Sequence, residues 1–76
     1  MPTILRTSGY RFFFYSAEGI EPPHVHVERD GKFAKFWLEP VRLESSSGFR
    51  TFELMRIERI VLENQDLMIG RWHDYF

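Results

Sequence analysis

The sequence predicts an α+β domain: an antiparallel sheet of four to five strands, followed by a C-terminal helix packed on one of its faces. Three observations predict it. Valines alternate with polar residues in His24-Val25-His26-Val27-Glu28, and Ala34 and Phe36 alternate beyond Asp30-Gly31, a dipeptide that favours a two-residue hairpin turn. The period then changes: Leu54, Ile57, Val61, Asn64, Met68 and Trp72 recur every three or four positions, apolar at all but Asn64. Between the two patterns stands Ser45-Ser46-Ser47-Gly48, a hinge that divides a strand-rich part (1–44) from a helical part (50–76) of one domain spanning residues 1–76.

Residues 3–7 and 10–16 form the first two strands, joined at Ser8-Gly9. Phe12, Phe13 and Phe14 are consecutive, so both faces of the second strand are apolar and both are covered. Residues 17–23 form a loop ending in Pro22-Pro23. Residues 24–28 and 33–38 make the central hairpin. A two-residue turn at Asp30-Gly31 sets Glu28 opposite Phe33, His26 opposite Lys35 and His24 opposite Trp37. Val25, Val27, Ala34 and Phe36 then share the core face; His24, His26, Glu28, Lys35 and Trp37 share the other. A slip of one residue would destroy both sets. Pro40 interrupts, leaving Val41 to Leu43 as a short edge strand.

The helical pattern covers residues 52–75, with Thr51 as N-cap and Glu53 in the first turn. Arg56, Arg59, Glu63 and Asp66 populate its polar side. An unbroken helix would be about 36 Å long, whereas a six-residue strand is about 20 Å. The helix therefore overhangs the sheet, exposing Met68, Ile69 and Trp72 to a partner or a second copy, or it breaks. The breakpoints are Asn64-Gln65 and Gly70, where glycine costs about 1 kcal/mol relative to alanine.

Composition narrows the function classes. Without cysteine there is no disulfide, thiol nucleophile or thiolate metal site. No apolar run is long enough to span a bilayer and no signal-peptide pattern precedes Tyr10, so the expectation is a cytoplasmic protein with no membrane partner. A net charge of -1 argues against strong non-specific nucleic-acid binding, though not against a local basic patch. Aromatic residues make up 17% of the chain, which lets a short sequence fill a core with large rings.

The chemistry concentrates at Pro22-Pro23-His24-Val25-His26. On a strand, His24, His26 and Glu28 project from one face. Imidazoles titrate near neutrality and suit proton transfer, so His24 and His26 are the candidate catalytic residues of a metal-free ribonuclease or other small hydrolase. Lys35 and Arg11 would hold phosphate, Tyr15 and Trp37 would stack bases, and Glu28 completes the contact set. A metal site would need Glu28 or His73 as third ligand, and it ranks below these readings; no metal and no cofactor is assigned. His73 is better explained by the dipole at a helix C-terminus. An N-terminal Pro2 amine, exposed by loss of Met1, is a further but weaker nucleophile. Tyr75 and Phe76 are either a docking tip or a lid on the core.

Several segments together resemble a known bacterial family. They are Met1-Pro2-Thr3-Ile4, Gly9-Tyr10-Arg11-Phe12-Phe13-Phe14-Tyr15-Ser16, Glu21-Pro22-Pro23-His24-Val25-His26-Val27, Ala34-Lys35-Phe36-Trp37-Leu38 and Trp72-His73-Asp74-Tyr75-Phe76. The family is domain-of-unknown-function family 4160. The resemblance implies a small bacterial protein encoded beside a protein partner in a toxin–antitoxin-like module, and it brings no catalytic residues. The expected function is therefore binding of that partner or contact with RNA or DNA, with a homodimer through the C-terminal helix as a further arrangement. The alternative is hydrolysis at His24 and His26.

Overall fold

A computed structural model describes residues 3–76, so Pro2 lies outside the described residues. Five strands precede two helices: β1 (Thr3–Thr7), β2 (Tyr10–Phe13), β3 (His24–Arg29), β4 (Lys32–Leu38), β5 (Val41–Ser47), α1 (Thr51–Glu63) and α2 (Gln65–Tyr75). The strands form one antiparallel meander in the order β1-β2-β3-β4-β5. The α+β architecture read from the sequence is the one observed. No helix is long and apolar enough to cross a membrane.

Two tight turns fix the register. Ser8 (φ 54°) and Gly9 (φ 84°) join β1 to β2, and Asp30 (φ 51°) and Gly31 (φ 75°) join β3 to β4. Positive φ at both central residues is the turn whose twist matches that of the flanking strands. The second turn pairs Glu28 with Phe33, His26 with Lys35 and His24 with Trp37. Val25, Val27, Ala34 and Phe36 consequently lie in the core, together with Phe12, Ile57, Val61 and Met68. Phe12, Phe13 and Phe14 are all buried, as a strand covered on both faces requires.

The fifth strand departs from expectation. It does not stop at Leu43 but continues through Ser45, Ser46 and Ser47, which pair with Lys35, Ala34 and Phe33. The ladder is made by backbone groups, so an edge strand needs no apolar side chains to extend it. The register shifts between Lys35 and Phe36, where Glu44 is the extra residue. Pro40 does not interrupt the sheet; Glu39-Pro40, with a cis peptide bond, is the two-residue loop between paired Leu38 and Val41. The second strand is also shorter than read, ending at Phe13.

The helix breaks at Asn64 (φ -117°, ψ 18°), one of the two breakpoints expected. Asn64 Nδ2 donates to the Ile60 carbonyl at 2.8 Å, and Gln65 Nε2 donates to the Leu38 carbonyl at 2.7 Å. The second bond ties the start of α2 to the end of β4. An unbroken helix of about 36 Å would exceed the longest dimension of the molecule, 30 Å. Redirected at Asn64, α2 buries Met68 and Trp72, and Ile69 packs against the core, instead of overhanging into solvent. The helix start is also corrected. Arg50, not Thr51, holds the N-cap position, because its carbonyl accepts from the amides of Glu53 and Leu54, and no side-chain cap forms. Phe76 packs on Trp72 at 4.2 Å and on Phe14 at 6.0 Å between ring centroids, so the C-terminal rings close the core.

Trp72 should be the most sensitive position of α2. Trp72→Ala is expected to lower the unfolding free energy by about 3–5 kcal/mol in denaturant titration, whereas Leu67→Ala, on the exposed side of the same helix, should change it by less than about 0.5 kcal/mol.

Candidate functional site

The helices pack mainly on one face of the sheet, although α2 also reaches His24 through Trp72. On the other, the register of β3 and β4 places His24, His26, Glu28, Lys35 and Trp37 together, as the sequence requires. The loop between β2 and β3 then folds back over this face. A turn in which the Glu21 amide donates to the Glu18 carbonyl at 3.2 Å aims two carboxylates at it. Glu18 reaches the histidines, and Glu21 pairs with Lys35 Nζ at 2.8 Å.

Glu18 is the centre of the cluster. Its Oε1 lies 2.8 Å from His24 Nε2 and 2.7 Å from His26 Nε2. The two imidazoles are edge to face, 5.2 Å between centroids. His24 Nδ1 lies 3.0 Å from the Pro22 carbonyl. A carbonyl can only accept, so this nitrogen carries the proton. The rings are boxed by aromatic neighbours. Trp72 lies 4.9 Å from His24 and Trp37 5.7 Å, while Tyr15 lies 4.5 Å and Phe13 5.6 Å from His26.

Burial separates the two histidines. The His24 side chain has 0% exposure and both its nitrogens are engaged; His26 keeps 15% and borders an open groove. Burial pushes His26 below the ordinary imidazole range, an effect that its hydrogen bond to Glu18 opposes without cancelling. Burial alone would raise the Glu18 carboxyl, but hydrogen bonds from His24 and His26, with their charges, outweigh it and hold Glu18 below the usual carboxylate range.

The remaining predicted residues fall on the same face with different partners. Arg11 Nη1 bridges to Glu28 Oε1 at 2.7 Å, its Nε donates to Thr3 Oγ1 at 2.8 Å, and its guanidinium lies 4.4 Å from the Phe13 ring centre. Glu28 is thus held by Arg11 and is not part of the histidine cluster. His73 is exposed in the last turn of α2, also outside the cluster. Lys35 Nζ sits 4.9 Å from the Trp37 ring centre. Among the described residues, the set whose ligand atoms converge as a metal site would require is Glu18, His24 and His26, all within 4.8 Å of one another.

Sequence reasoning missed Glu18. Nothing in its spacing marks it among eleven acidic residues; only the path of the loop selects it. A second omission is Phe33, exposed at 44% beside Tyr15, His26 and Lys35 in the groove. Its pairing opposite Glu28 already places it on this face.

A family model described as domain of unknown function (DUF4160) matches residues 9–73, nearly the whole chain. The chain belongs to the DUF4160 family. The match takes in Glu18, both histidines and Lys35, so the cluster lies inside the segment that defines a DUF4160 chain. Comparison with curated proteins and with solved structures finds no match.

The cluster carries a pH signature. His26 and Glu18 both hold fewer protons in the folded chain than in the unfolded one, so acid favours unfolding. The His26 contribution is complete above its ordinary value of about 6.5 and is lost as pH falls below it; the Glu18 contribution follows below about 4.3. In the presence of a chelator, the melting temperature should therefore fall from about pH 7.5 to about pH 4. In Glu18→Gln the fall below about pH 6.5 should steepen, because His26 loses the contact that opposes its shift, and the fall below about pH 4.3 should flatten. A flat or rising profile would contradict the assignment.

Proposed function

We propose that this DUF4160 protein binds single-stranded RNA across the open face of its sheet, within a two-protein module of the toxin–antitoxin-like kind that the family resemblance implies. The observation that carries the reading is the groove of about 330 Å³ bordered by Tyr15, His26, Phe33 and Lys35. Two exposed rings flank a lysine and an imidazole, and no helix covers them. Rings beside a lysine and a hydrogen-bonding imidazole suit unpaired bases, because every base offers a π-face to stack on and its nucleotide a phosphate, for which Lys35 would exchange Glu21. Trp37, Arg42 and Arg11 extend the surface along the same face. The net charge of -1 fits a small contact of this kind and not a broad electrostatic one.

The alternative, hydrolysis by His24 and His26, would have to run through His26, since His24 has no exposed side-chain surface. One assay separates the readings. Fluorescence titration with single-stranded RNA should show binding that weakens at least about fivefold in Tyr15→Ala or Phe33→Ala, the scale of one lost stacking ring. Duplex RNA should bind more weakly. No binding up to roughly 100 μM RNA would contradict the proposal, and cleavage abolished by His26→Ala would replace binding with hydrolysis.

A second surface supports the protein partner. On the outer side of α1, Phe52, Met55 and Leu62 are each more than half exposed, at 58%, 66% and 55%, and with Arg56, Glu58 and Arg59 they line a depression of about 530 Å³. An apolar stripe left uncovered on a small domain is the usual mark of an interface. Co-expression with the product of the neighbouring gene should give a stable complex, and Met55→Glu should abolish co-purification while leaving the fold intact. Sedimentation of the protein alone shows whether a second copy takes the same stripe.

A further inference from the structure

We propose that Glu18, His24 and His26 bind a divalent transition metal of the zinc class, a site that neither the RNA surface nor the partner surface requires. The inference starts from the protons. His24 spends its Nδ1 proton on the Pro22 carbonyl at 3.0 Å. A neutral ring protonated there has only a lone pair at Nε2. Yet that Nε2 faces a carboxylate oxygen at 2.8 Å, and the same oxygen faces a second imidazole nitrogen at 2.7 Å. Lone pair against lone pair is repulsive. The contact demands something positive between the atoms: a proton, on the buried ring or on the carboxyl, or a cation.

A metal ion meets the demand without charging the buried imidazole. Neutral imidazole nitrogens with a carboxylate oxygen are a ligand set suited to zinc and its neighbours in the transition series. The contact between His24 Nδ1 and the Pro22 carbonyl is then the outer hydrogen bond that metal-bound histidines almost always make, fixing both tautomer and ring orientation. The ligand atoms lie within 4.8 Å of one another. Tetrahedral coordination at about 2.0–2.1 Å sets ligand atoms about 3.3 Å apart, so Glu18 retreats by about 0.5 Å on its loop and the two imidazole nitrogens, within 4.8 Å of each other, close towards that spacing. Lys35, whose charge is felt at His26, is paired with Glu21 at 2.8 Å, which reduces its repulsion of the ion. Binding displaces the protons shared between Glu18 and the rings into the buffer. Three protein ligands leave a coordination position for water, as in zinc sites that act on substrates and not in closed structural ones.

The test is calorimetric titration of the full chain with zinc chloride, together with the visible spectrum of the cobalt-loaded protein. The expected result is one zinc per chain and a higher melting temperature. Affinity should fall at least tenfold in His26→Ala and in Glu18→Gln, and stay unchanged in His73→Ala. No heat and no thermal shift at roughly 100 μM zinc, or equal affinity in wild type and His26→Ala, would overturn the proposal. Circular dichroism checks each variant for folding. If one fails that check, the wild-type cobalt spectrum decides: absorption typical of tetrahedral cobalt supports the site, and the spectrum of the aquated ion overturns it. Neither readout involves RNA, so its outcome is separate from that of the RNA proposal.

Discussion

Almost everything in this molecule follows from the register that the Asp30-Gly31 turn imposes on β3 and β4. Side chains alternate along a strand with period two, so one turn residue more or fewer would exchange the faces. With the turn as it is, Val25, Val27, Ala34 and Phe36 enter the core and receive α1 and α2. The same geometry leaves His24, His26, Lys35 and Trp37 on the opposite side. Core and site are two readouts of one constraint, and neither could shift without the other.

The site is also bound to the core through a shared ring. Trp72 belongs to α2, yet it lies 4.9 Å from His24 as well as 5.2 Å from Phe14. It reaches that place only because the helix breaks at Asn64 and Gln65 anchors the new segment to Leu38. The break thus closes the core and at the same time dries one side of His24. A buried imidazole in such a setting must have its nitrogens satisfied: the Pro22 carbonyl takes the Nδ1 proton, and Glu18 meets Nε2 through a shared proton or a bound cation. The loop from β2 to β3 is therefore a structural partner of the histidines and not a mere connection.

How much of this was legible depended on whether the information was local. The hairpin was readable because alternating valines, Asp-Gly and the facing Ala34 and Phe36 all agree on one register. The apolar spacing from Leu54 to Trp72 gave the helical half, and the mismatch between helix and strand length gave an overhang or a break at Asn64-Gln65 or Gly70, of which the first break is the one observed. Ser45 to Ser47 misled, since serines signal a turn, but an edge strand is held by its backbone ladder to β4. Thr51 misled in a smaller way, because the cap position falls on Arg50, whose side chain has no acceptor to offer. Glu18 was invisible for a different reason. Its role arises from a loop folding back across a sheet, and no periodicity encodes that path. Glu28 and His73, which stood closer to the histidines in strand logic or in residue type, are held elsewhere, by Arg11 and by the last turn of α2.

The central claim is that Glu18 couples His24 and His26 into one unit beneath the loop on the face opposite the core. The most direct measurement is the nitrogen-15 NMR spectrum of the three imidazoles in the chelator-treated chain and in Glu18→Gln. The account predicts that His24 shows a proton fixed on Nδ1, and that removing the Glu18 charge moves the His24 and His26 Nε2 signals together while His73 stays in place. If His24 and His26 instead gave the signals of unconstrained imidazoles, indifferent to Glu18, the coupling would not exist.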